Sequence, residues 1–148
     1  MLLEENSFVT ISYCSKTKGV LLQWKCIVSM EAFQSAYNKV LELAVKQYRV
    51  KHYCTDLSRV GALTREQETW LTSSYYQRVF EVLKDSIYVA VVFSEGHFKA
   101  IVQNYHASFG SKQPDYVNFN YFTDIDEAWD WIGAIQKSQD AALFLSAS

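Results

Sequence analysis

The chain has little of what usually marks chemistry or irregular structure. It carries one proline, Pro114, and five glycines in 148 residues. That excludes collagen-like and Gly/Pro-rich linker architectures and predicts short connections. Three cysteines, Cys14, Cys26 and Cys54, stand 12 and 28 residues apart with no C-x-x-C pair. An odd count argues against a closed disulfide framework and for reduced thiols in a cytoplasmic protein. No stretch approaches the roughly 18 apolar residues that a membrane span requires. The opening MLLEENSF has neither a basic n-region nor an apolar signal core.

Charge of one sign is also scarce. The formal net charge is −2, and the best basic patch is Lys16, Lys18 and Lys25 around one hairpin. Three lysines at a turn are ordinarily a solvated edge, whereas nucleic-acid binding needs a stripe of phosphate contacts. No nucleic-acid partner is expected.

Motifs of catalysis are absent from the sequence. There is no Gly-rich phosphate loop, dinucleotide fingerprint or G-x-S-x-G. Glu95, His97 and the distant His106 are too few and too scattered for zinc, which takes three or four ligands. Cys54 lies two residues from His52 on one strand face, but a buried strand cysteine is ordinarily a small hydrophobe. The expectation is a protein that is not an enzyme and holds no cofactor or metal.

What the chain has in quantity is rings: ten Tyr, nine Phe and four Trp, 16% of residues. With 49% apolar and 20% charged residues, this is a globular composition of single-domain length, 1–148. A domain of this size buries about 70% of its unfolded surface, so it can hold a core without a staple.

Periodicity places the elements. Residues 8–13 and 20–24 alternate in hydrophobicity around the turn Ser15–Gly19, which predicts an antiparallel hairpin. Ser29 opens a helix whose stripe is Phe33, Tyr37, Val40, Leu41, Ala44 and Tyr48. His52–Thr55 is a short strand ending at Asp56. Thr64-Arg65-Glu66-Gln67 is a capping box, and the helix it opens should bend or break before Val79. Residues 87–93, IYVAVVF, read as a strand buried on both faces. Ser94 should cap a helix over about 97–106, followed by a polar loop to Asp115. Residues 116–122 form a last strand, and Asp124-Ile125-Asp126-Glu127 a second capping box. The order β-β-α-β-α-β-α-β-α predicts an α/β domain. Its sheet is mixed and mostly parallel, with an N-terminal antiparallel hairpin and flanking helices.

The segments LLQWKCIVSMEAF, YCTDLSRVGALTREQETWL and YFTDIDEAWDWI give the chain a resemblance to the STAS-like fold of the bacterial anti-sigma-factor antagonists. More narrowly, it resembles small uncharacterised bacterial proteins of that fold. The resemblance covers nearly the whole chain and implies a regulatory binding role. In the antagonists a serine in an Asp-Ser-Ser-Gly-like turn is phosphorylated. Here Thr55-Asp56-Leu57-Ser58 resembles the preceding strand end, but the turn reads Ala62-Leu63-Thr64-Arg65-Glu66-Gln67. The phosphorylatable serine turn is not carried over, and Thr64 is the nearest hydroxyl.

Five residues stand out as candidates for binding. Asp56 and Ser94 lie at carboxyl ends of strands, where ligands gather in open α/β sheets, although Asp and Ser there commonly only shape loops. Thr64 sits at a helix start, with capping as its ordinary role. Trp129 and Trp131 should flank the stripe of Ile125, Ala128, Ile132 and Ile135 on the last helix. They either seal the sheet margin or offer a ring to a partner. The expected function is a non-catalytic regulatory or scaffolding module that binds a protein or a second copy of itself. The alternative is a small hydrophobic-ligand or lipid-binding domain.

Overall fold

The computed structural model describes residues 1–99 and 114–147. Among the described residues six strands make one sheet in sequential order: β1 (Leu2–Glu5), β2 (Val9–Cys14), β3 (Gly19–Trp24), β4 (His52–Asp56), β5 (Ile87–Val92) and β6 (Val117–Phe122). The first two pairings are antiparallel and the other three parallel, so β2 alone runs against its neighbours. This is the mixed α/β sheet with an N-terminal hairpin that the alternation predicts. The addition is β1, whose LLEE has too little alternation to read as a strand. It lies at the sheet edge, tied to the first helix by an ion pair between Glu4 and Lys39.

Two long helical segments lie between β3 and β5. The first runs from α1 (Met30–Val40) through a π-turn (Leu41–Val45) into α2 (Lys46–Tyr48). The second runs from α3 (Arg65–Trp70) through a π-turn (Leu71–Tyr75) into α4 (Tyr76–Leu83). In the second, Glu68, Leu71 and Tyr75 are buried, and so are Tyr76, Val79 and Leu83. Both sets follow i, i+3, i+7 spacing, and they are offset by one residue from a single stripe. A π-turn absorbs one extra residue. The phase slip that predicts a break before Val79 is therefore a bulge in a continuous helix. It lets the consecutive Tyr75 and Tyr76 both enter the core.

A sequential sheet with parallel crossovers places its crossover helices on one face. That face holds the main core. Val20, Leu22 and Trp24 of β3, Tyr53 of β4 and Val89 and Val91 of β5 meet Phe33, Tyr37, Tyr75 and Tyr76. Much of the aromatic content is used here: Tyr37 and Tyr75 pack edge to face at 4.8 Å, Trp24 and Phe33 stack at 5.3 Å, and the Tyr53 and Tyr75 hydroxyls meet at 2.6 Å. The opposite face is covered by α5 (Ile125–Ala147), with Ala128 and Ile132 over Cys54, Ala90 and Val92. β5 is paired on both sides and buried on both faces, as IYVAVVF predicts; Val89 and Val91 are 1% and 4% exposed.

Caps form as expected at two helices. Ser29 Oγ accepts from Ala32 N, and Thr64 and Gln67 cap each other. At α5, Asp124 Oδ1 accepts from Asp126 N, and no return bond from Glu127 forms among the described residues, so the second box is half a box. Ser94 precedes a 3₁₀ turn (Glu95–His97) without capping it by its side chain. Most of the helix expected over 97–106, and most of the loop after it, lies outside the described residues. Lys25 does not join Lys16 and Lys18. It sits past the other end of β3, where its ammonium donates to the Asn6 carbonyl at 2.8 Å. The three cysteines are free thiols.

Candidate functional site

The structure places the five candidates apart. Asp56 Oδ1 accepts from Ser58 N at 2.9 Å, an Asx turn that shapes the exit of β4. Thr64 caps α3, and Ser94 begins the connection after β5. Trp129 and Trp131 are half-buried on the two flanks of α5. Trp129 lies against Gly19, while Trp131 packs on Tyr88 and Phe122 at 6.4 and 5.9 Å.

A different constellation forms at the opposite, amino end of the parallel strands. There a cavity of about 360 Å³ opens between the sheet and the later turns of α5. Three connections supply one wall: the β2–β3 turn with Lys18, the entry to β4 with Arg49, Lys51 and His52, and the entry to β5 with Asp85. Gln136, Gln139 and Asp140 of α5 supply the other, and the stacked rings of Tyr13 and Tyr48 stand at the rim. The parallel register aligns Gly19, His52 and Tyr88 across three strands, so the residues before each strand are brought level.

His52 forms the buried part of this wall and is 0% exposed. Its Nδ1 lies 2.9 Å from the Thr17 carbonyl oxygen. A carbonyl only accepts, so Nδ1 carries the proton. The Nε2 atom is buried, with the Gln139 side chain beside the ring. Burial lowers the imidazole pKa below its ordinary 6.5, and nearby Lys51 and Lys18 lower it further, against the opposing Thr17 carbonyl and Gln139 amide. The neutral ring therefore carries its lone pair on Nε2, which is closed to solvent.

The charges around it are partly committed. Lys51 Nζ lies 2.7 Å from Asp85, and its hydrogen bond holds that carboxyl below the usual range. The amide of Gln136 donates to Asp140 at 3.0 Å. Arg49 gives one N–H to the Leu83 carbonyl at 3.2 Å, leaving the rest of its guanidinium fork. Lys18 has no partner among the described residues. Arg49 and Lys84 end their helices in the left-handed conformation, with φ of 54° and 55°. Cations are favoured there by the helix dipole. That accounts for their position.

No family model, curated protein or solved structure matches this chain. Among the described residues no group of acidic, His and Cys side chains is arranged to hold a metal, and no helix is long and apolar enough to cross a membrane. Burial pushes the Cys54 thiol up to about 12, which suits an inert core residue rather than a nucleophile.

Sequence reasoning missed this site because it looked to the carboxyl ends of the strands. The available signal was a cation immediately before β3 and again immediately before β4, at Lys18 and Lys51. Only parallel pairing turns that recurrence into a cluster.

Proposed function

We propose that the chain is a non-catalytic binding module whose ligand is a small organic anion, seated in the cavity at the amino ends of β3, β4 and β5. The observation that carries this reading is the cavity of about 360 Å³ flanked by Lys18, Arg49 and Lys51, with Lys18 unpaired among the described residues. The volume falls in the range of small-molecule sites. The Tyr13–Tyr48 stack offers an apolar rim for the body of such a ligand.

The apolar-ligand reading has less support. The apolar cavities beside Tyr37 and beside Trp24 measure about 20 and 70 Å³, far below the roughly 300 Å³ of ordinary ligand sites. A STAS-like regulatory role in the cytoplasm remains part of the proposal. The hairpin followed by alternating strands and helices supports it, as do the free thiols. In that role the bound anion would be the signal and the protein partner its readout.

Native mass spectrometry of protein purified from its own source tests the reading. The expected result is a retained small anion that the double variant Lys18→Ala/Arg49→Ala no longer carries. Retention of a protein partner, with no small molecule in either form, would overturn it.

A further inference from the structure

We infer that the anion carries a planar aromatic body, with its charged group at Lys18 and Arg49 and its ring laid on the open face of Tyr48. This rests on the anion-site reading above and adds the chemistry of the rest of the ligand.

Two kinds of surface line the cavity. Lys18 and Arg49 supply cations from the connections into β3 and β4. Both hold a left-handed backbone, with φ of 52° and 54°, which glycine adopts with least strain. Long cationic side chains kept at two strained positions of one cavity point to a use for their charge. Lys51 is taken by Asp85, and Asp140 receives the Gln136 amide. Lys18 and the remaining N–H groups of Arg49 are the cationic donors left for a ligand.

Tyr48 and Leu143 are the second kind. They are 41% and 68% exposed, and both line the same cavity, one from the end of α2 and one from α5. Single exposed apolar side chains are ordinary, but these two stand in the walls of one basic cavity. The Tyr48 ring lies 4.5 Å from that of Tyr13 and within 11° of parallel. The stack covers one face of Tyr48 and fixes the plane of the ring. Among the described residues no other ring stacks on its second face. A flat face held in place favours a flat partner, because offset stacking adds to area burial. A flexible chain laid there would instead lose rotamer freedom. The volume of about 360 Å³ accommodates one ring and one anionic group.

Phenyl phosphate, cyclohexyl phosphate and inorganic phosphate separate the outcomes, because they share the anionic group and differ in the body. Isothermal titration of the full chain should give phenyl phosphate an affinity at least about tenfold above inorganic phosphate and at least about threefold above cyclohexyl phosphate. Tyr48→Ala should bring phenyl phosphate within about twofold of inorganic phosphate, while Tyr48→Phe keeps the wild-type order. Lys18→Gly should weaken all three without lowering the urea midpoint, since glycine relieves the left-handed turn. On the wild-type protein, proton spectra should show the Tyr48 ring signals moving upfield with phenyl phosphate and not with inorganic phosphate. This measurement holds if a variant fails to fold. Equal affinities for the three probes, or a Tyr48 ring that does not respond, would overturn the aromatic body and leave the anion site standing. Equal binding of phenyl and cyclohexyl phosphate would overturn the preference for a flat ring. Binding of none of the three at millimolar concentration would overturn the anion site itself.

Discussion

Gly19 and Trp129 share one volume: a Cβ on Gly19 would stand 3.0 Å from Cζ3 of the Trp129 ring. The glycine at the end of the hairpin turn is thus required by the close approach of Trp129 and of Thr17 Oγ1, at 3.2 Å, and not by a left-handed backbone. The left-handed residue of that turn is Lys18, with φ of 52°. Gly19→Ala should cost about 1–3 kcal/mol through overpacking. The double variant with Trp129→Phe should cost less than the sum of the two singles. Urea unfolding measures both, and a neutral Gly19→Ala would show that the ring moves freely. Trp129→Ala and Trp131→Ala should each destabilise by about 2–3 kcal/mol, less than a fully buried indole. If neither alters any association of the protein, this helix is a cover and not an interface.

Thr64→Ala removes one half of a complete capping box, whose bonds are 3.1 Å from Gln67 N to Thr64 Oγ1 and 3.0 Å from Thr64 N to Gln67 Oε1. The expected loss is about 0.5–2 kcal/mol. Thr64→Ser should recover most of it. Phosphate found on Thr64 in protein taken from cells, coupled to release of a partner, would give this residue a role beyond the cap.

The Tyr53 and Tyr75 hydroxyls satisfy each other in the core at 2.6 Å, and burial raises both above the ordinary phenol range. Either single change to Phe strands the other hydroxyl and should cost about 1–3 kcal/mol, while the double change removes both polar groups. A double-mutant cycle should therefore show a coupling of at least about 0.5 kcal/mol, with the double variant more stable than the sum of singles predicts. Additive effects would mean that the two hydroxyls do not depend on each other.

His52 predicts a pH dependence with a definite sign. Its folded pKa lies below 6.5, depressed first by burial, so the unfolded state takes up the proton first as pH falls. Stability rises with pH wherever the unfolded chain binds more protons. The His52 contribution is therefore complete above about pH 6.5 and declines as pH falls from there toward the folded pKa. Urea midpoints measured across that range should fall for the wild type and less steeply for His52→Asn. Parallel curves would place His52 outside the titrating set.

The sequence by itself determined the elements and their broad arrangement, because alternation, capping residues and continuous apolar runs are local signals. IYVAVVF suits a strand buried on both faces, Thr64 to Gln67 matches a capping box, and both form. The last helix also declared its geometry: Trp129 and Trp131 lie about 200° apart around its axis, and the structure seats them on opposite flanks.

Three features escaped local reading. The two π-turns appear in sequence only as a phase slip, and packing decides whether such a slip becomes a bend or a bulge. β1 has no alternation of its own and becomes a strand because β2 offers it an edge. The cavity depended on tertiary structure most of all. Lys18, Arg49, Lys51, His52 and Asp85 are spread over 68 positions, and each looks like an ordinary turn or strand-end residue. Parallel in-register pairing brings their connections to one end of the sheet, and α5 folds back over the opposite face to close the wall.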